Sequence, residues 1–163
     1  MSQAERYLEL TGLARGKMLD ASYQAAFYLL SCQMDLFEVG KKHVSINGIH
    51  FAGMKRTNGI HTLDDRDKQI IDIAHNLFSW SSKCKASPFD ISRLGYPYME
   101  MVCNAIFIAA GECEVVIERD EENNPKMILD ASPYQRTGRI HREMNKLYAQ
   151  MVANHSEEIE LER

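Results

Sequence analysis

Five stretches of this 163-residue chain repeat apolar residues three and four positions apart, and that spacing constrains the fold more than any other feature. Side chains at i, i+3, i+4 and i+7 share one side of an α-helix, and that side must be buried against another like it. The first stretch, Ala4 to Leu13, carries Tyr7, Leu8, Leu10 and Leu13. The second starts behind Asp20, whose carboxylate can accept a hydrogen bond from an amide of the first turn. It runs through Tyr23, Ala26, Phe27, Leu30 and Met34; Asp35-Leu36-Phe37 either continues it or opens a second turn, with a stop at Gly40. The third opens at Asp64 or Asp65 and reaches about Ser81, with Ile70, Ile71, Ile73, Ala74, Leu77 and Phe78 inward. The fourth follows Gly95-Tyr96-Pro97, and its inward set is Met99, Val102, Cys103, Ile106, Phe107 and Ala110. The scarcity of charge between Met101 and Ala110 marks it as the central helix. The fifth follows Ser132-Pro133 to about Asn154, with Ile140, Met144, Leu147, Tyr148, Met151 and Val152 at helical spacing.

Two segments break this period. Val44 to Phe51 alternates around Asn47-Gly48, residues that tolerate the positive φ of a tight hairpin turn, whereas the polar flanks of Asn58-Gly59 predict a loop. Further on, Glu114–Arg119 and Lys126–Leu129 flank the turn-rich Glu122-Asn123-Asn124-Pro125. A second hairpin fits there, with helix as the rival for its first arm because length barely separates the two. The sequence therefore predicts a mainly α fold: a compact bundle of about five helices, with one or two short β-hairpins at 43–51 and 114–129. A chain this long fits one domain. Its expected parts are a helical core over 1–111, a hairpin and helix packed on it over 112–156, and a frayed tail over 157–163.

A domain of this size buries enough surface to hold its core without a metal or a disulfide. Four scattered cysteines, Cys32, Cys84, Cys103 and Cys113, and no apolar leader near the start predict free thiols in a reducing cytoplasm of bacterial type. No run approaches the roughly 20 apolar residues of a membrane span, so no membrane partner is expected. The formal charge of −4 excludes a strongly basic nucleic-acid binder, though not a local basic patch.

The order of several blocks carries a resemblance. Ala4-Glu5-Arg6-Tyr7 leads to an acidic cap, followed by Ala25-Ala26-Phe27-Tyr28-Leu29-Leu30 and by Asp35-Leu36-Phe37. Then come an isoleucine-rich helix ending in Asn76-Leu77-Phe78 and a helix containing Asn104-Ala105-Ile106. Over residues 1–110 this resembles a family of short bacterial proteins classed as a domain of unknown function and associated with mobile elements. The resemblance implies a helical fold and a cytosolic setting, and brings no activity or site residue. His75 stands where that family commonly has an aromatic residue, and Ser79-Trp80 replaces its Asn-Gly turn.

The candidates for chemistry are few. Zinc sites gather closely spaced pairs of cysteines or histidines, whereas Cys103 and Cys113 are ten apart and His43, His50 and His61 are irregular, so neither a metal nor a cofactor is expected. Cys84 lies between Lys83 and Lys85, whose charges can lower a thiol pKa, but no base is tied to it. Asp72 precedes His75 by three residues and could hold one ring nitrogen as part of an acid–base pair. The plainer expectation is a helix histidine at the edge of the core.

Charge is distributed more informatively. Residues 1–111 sum to +1 and residues 112–163 to −5, yet Arg136, Arg139, Arg142 and Lys146 form a basic stripe inside the acidic part. That stripe can grip phosphates, or pair with an acidic cluster that includes Glu118, Glu121 and Glu122. Three functions compete on these residues. The first, and the best supported, is a non-enzymatic protein-interaction module or accessory protein of a bacterial mobile element. Its specific form is an anti-defence protein whose acidic surface blocks a nucleic-acid-binding protein of the host. The second is a small enzyme using His75 with Asp72, or Cys84, between helices. The third is nucleic-acid binding through the basic stripe. A homodimer is compatible with each.

Overall fold

Seven consecutive residues, Ala25–Ser31, are buried in the second helix of the computed structural model, which describes residues 1–15 and 20–161. A helix buried on all sides needs neighbours on all sides. This helix, α2 (Ala21–Cys32), packs against α1 (Gln3–Leu13), α3 (Met34–Gly40), α5 (Asp65–Phe78) and α7 (Tyr98–Ala109). The centre of the bundle is thus α2 and not the charge-poor 98–110 helix. Asp20 caps α2 as expected, accepting from the Tyr23 amide at 3.0 Å.

Helix α1 opens with a capping box between Ser2 and Glu5 and buries Ala4, Tyr7 and Leu10, with Ala14 just beyond its end. That stripe leaves Leu8 and Leu13 outside, more than a third exposed, where the sequence placed them inward. Arg6 is buried instead, and its guanidinium donates to the Ser31, Met1 and Cys32 carbonyls at 2.7, 2.6 and 3.1 Å. Gln33 then takes an extended conformation, φ −118° and ψ 149°, and separates α2 from α3. This break turns Met34 off the α2 stripe on which the sequence placed it and into solvent, and of the two readings of Asp35-Leu36-Phe37 it favours the second turn. Gly40 closes α3 beside Leu30, where an added Cβ would sit 3.2 Å from a leucine methyl.

The first hairpin is minimal. β1 (Val44–Ser45) pairs antiparallel with β2 (Gly48–Ile49), so Ile46 and Asn47 occupy the turn and Gly48, at φ +113°, opens the return strand. α4 (Phe51–Met54) follows, and residues 58–62 form a 3-10 helix where a loop was predicted. In α5, Asp64 caps through the Asp67 amide at 2.8 Å, Ile70, Ile71, Ile73 and Ala74 are buried, and the helix ends at Phe78 rather than Ser81. α6 (Pro88–Ser92) is one turn with its own capping box at Ser87 and Asp90.

α7 buries Tyr98, Met101, Val102, Ala105 and Ile108. Of the inward set expected from sequence only Val102 is buried; Met99, Cys103, Ile106, Phe107 and Ala110 are exposed. The helix is apolar nearly all round, so its period does not say which arc meets α2. β3 (Glu114–Arg119) and β4 (Pro125–Asp130) form the second hairpin in six-residue register, from Glu114↔Asp130 to Arg119↔Pro125, which settles the first arm as strand. It lies against α1 and α2, and the Val115 amide donates to Gln24 at 3.0 Å.

The chain divides into two units, residues 1–130 and residues 131 onward, so the hairpin belongs with the helical core. The second unit is α8 (Ser132–Leu161), a single 30-residue helix. It continues past position 157, where the tail was expected to fray; residues 162–163 lie outside the described residues.

Candidate interaction surface

Asp72 and His75 do not form a pair. Asp72 is ion-paired with Lys55 at 2.5 Å, and His75 stacks on Phe51, with ring centroids 4.8 Å apart and planes 15° from parallel. Burial and then the Lys55 charge hold the imidazole pKa below its ordinary value, against a smaller opposite pull from Asp72. The His75 Nδ1 is buried without a hydrogen-bond partner. With its Nδ1 buried and its ring stacked on Phe51, His75 packs as an aromatic side chain, whereas an acid–base group needs its nitrogen within reach of a substrate.

Cys84 borders a groove of about 410 Å³ with Asn76, Ser82, Ile91 and Ile106. Among the described residues, none that lines that groove is a carboxylate, a histidine or a lysine, the groups that could activate a thiol. Cys32 is further from reactivity, since burial pushes its thiol up to about 12 while the Gln3 amide donates to its sulfur. Among the described residues, no group of three or more His, Cys, Asp or Glu is arranged to hold a metal ion.

The charged candidates are all exposed. Glu118, Glu121 and Glu122 surround the tip of the second hairpin, where Asp120 ties the turn by accepting from the Glu122 and Asn124 amides at 3.0 and 2.8 Å. Arg136, Arg139, Arg142 and Lys146 lie along the first half of α8. At about 100° per residue, Arg139, Arg142 and Lys146 fall on one side of the helix, with Arg136 at its border.

The other side of α8 carries Ile140, Met144, Leu147, Tyr148 and Met151, each between 52% and 70% exposed. Sequence reasoning counted these residues as helical but did not recognise them as a surface. A signal was available. Residues 140, 144, 147 and 151 alternate by four, three and four, the narrow seam of a coiled coil, whereas α5 buries a wide arc that includes Ile70, Ile71, Ile73 and Ala74. The first unit has a smaller apolar patch of its own, a dent of about 360 Å³ lined by Gly95, Tyr96, Met99, Glu100 and Cys103.

Comparison of the chain with protein-family models, with curated proteins and with solved structures finds no match. Among the described residues no helix is long and apolar enough to cross a membrane. A seam of five large apolar side chains, continuous over three turns, is suited to burial against a second helix or groove.

Proposed function

We propose that the protein is a non-enzymatic interaction module whose working surface is the apolar seam of α8. One observation carries the proposal: five large apolar residues, from Ile140 to Met151, are each more than half exposed along one line of a 30-residue helix. Single exposed apolar residues are ordinary, but a contiguous row marks a contact surface. The candidates for catalysis offer less, because Asp72 is committed to Lys55, His75 is stacked on Phe51 and the described lining of the Cys84 groove holds no carboxylate, histidine or lysine. The family that residues 1–110 resemble is associated with mobile elements, and a small docking protein suits accessory work for such an element, of which anti-defence is one form.

The test is a photo-crosslinking residue placed at Leu147 in the full chain and activated in cells. A covalent adduct with a second polypeptide is the expected result. Recovery of the chain alone, free of any adduct, rejects the seam as a docking surface.

A further inference from the structure

Resting on that reading of α8, we infer that the seam is occupied by a second copy of the same chain, bound antiparallel. The charge layout of the helix selects this partner. The first half, residues 132–147, carries Arg136, Arg139, Arg142, Glu143 and Lys146, a net +3. The second half, residues 148–161, carries Glu157, Glu158 and Glu160, a net −3. Such a helix opposes its own macrodipole, with no acid in its first turn and no base in its last. A second copy running the other way lays an acidic half along each basic half and supplies the compensation that the helix lacks.

The seam has a register that satisfies this orientation. Turned end for end, Met144 meets Leu147 of the second copy and Ile140 meets Met151, each contact occurring twice by two-fold symmetry. Every central layer is then apolar. Thr137 meets Asn154 at each end of the seam, and the basic half of each helix runs along the half of the other that carries the acidic sequence. Arg139, Arg142 and Lys146 stand off the seam and act through the field of the half-helix. In the parallel arrangement Arg136 would face His141, and the two basic halves would lie side by side.

Area agrees with a reversible dimer. The five seam residues expose roughly 600 Å² of surface per copy, so about 1,200 Å² is removed in total, the lower bound for a specific interface. An interface at that bound suits a contact that forms and dissociates reversibly.

Sedimentation velocity on the full chain, from about 1 to 200 µM at low salt, tests the inference. The expected result is a monomer–dimer equilibrium that Leu147→Glu abolishes without changing the cooperative unfolding of the first unit. Arg136→Glu and Glu157→Arg should each weaken the dimer about tenfold, and the double variant should return to within about threefold of the original. A dimer that ignores Leu147→Glu overturns the inference, and a double variant no tighter than the single ones overturns the antiparallel register. A chain that is monomeric at every concentration removes the second copy as occupant. If the Leu147 crosslink then joins it to a different protein, the docking proposal stands without a dimer; if it joins nothing, both fall.

Discussion

Replacing Arg6 with methionine should destabilise the first unit by about 2–3 kcal/mol. The guanidinium gives three hydrogen bonds of 2.6 to 3.1 Å, two of them to the Ser31 and Cys32 carbonyls at the end of α2, where no later turn exists to accept them. Methionine keeps much of the volume and supplies no donor. Loss of the buried bond to Ser31 leaves an orphaned carbonyl, which costs about 1–3 kcal/mol, and the two partly buried bonds add about 0.5–1.5 kcal/mol each. Against this, methionine avoids burying a cation, which returns on the order of 1–2 kcal/mol. Urea unfolding followed by far-ultraviolet circular dichroism measures the difference. The melting temperature should fall by roughly 10 °C, and Arg6→Lys, which keeps the charge but not the fork, should lie between. If Arg6→Met matches the original chain within about 0.5 kcal/mol, the guanidinium is not what closes α2.

Other expectations follow from single environments. The His75 pKa is lowered in the folded state, so its contribution to stability is present above the ordinary value of 6.5 and is lost as pH falls through the depressed one. His75→Phe keeps the stack on Phe51, and should match the original chain at pH 7 within about 1 kcal/mol yet exceed it at pH 5 in urea midpoints. A chain whose midpoint is flat between pH 7 and pH 5 would contradict this. Gly48→Ala should cost about 2–3 kcal/mol in the same assay, because φ is +113° and the new Cβ would sit 2.6 Å from the Tyr23 hydroxyl. Gly12→Ala in α1, with nothing within 4 Å, should instead gain about 0.5 kcal/mol. Mass spectrometry after brief alkylation of the native chain should find Cys103 modified and Cys32, whose thiol is raised to about 12, at least about a hundredfold slower.

The caps and turns were the most legible part of the fold. Asp20 and Asp64 start their helices because a carboxylate reaches an amide three residues on, a local interaction that sequence displays directly. The second hairpin was legible in the turn chemistry of Glu122 to Pro125. The orientation of α7 was not, since apolar residues on nearly every side let the bundle choose Tyr98, Met101, Ala105 and Ile108 over Met99, Cys103 and Ile106. The break at Gln33 was legible only as an alternative, a second turn opening at Asp35-Leu36-Phe37, because Gln33 is neither glycine nor proline and Arg6, far off in sequence, takes the carbonyls that α2 leaves open. The candidate surface was half legible: the spacing of Ile140 to Met151 was plain, but whether a helix buries such a row within its own chain depends on contacts far apart in sequence.

The wrapping of α2 also has a consequence for synthesis. The stretch from Ala25 to Ser31 leaves the ribosome about eighty residues before Tyr98–Ala109, which covers one of its sides. At about 5–20 residues per second, the growing polypeptide carries this rod with that side uncovered for roughly 4–16 seconds. During that interval a chaperone that holds short greasy segments has its best opportunity, and slowing translation beyond codon 32 should increase the fraction lost to aggregation.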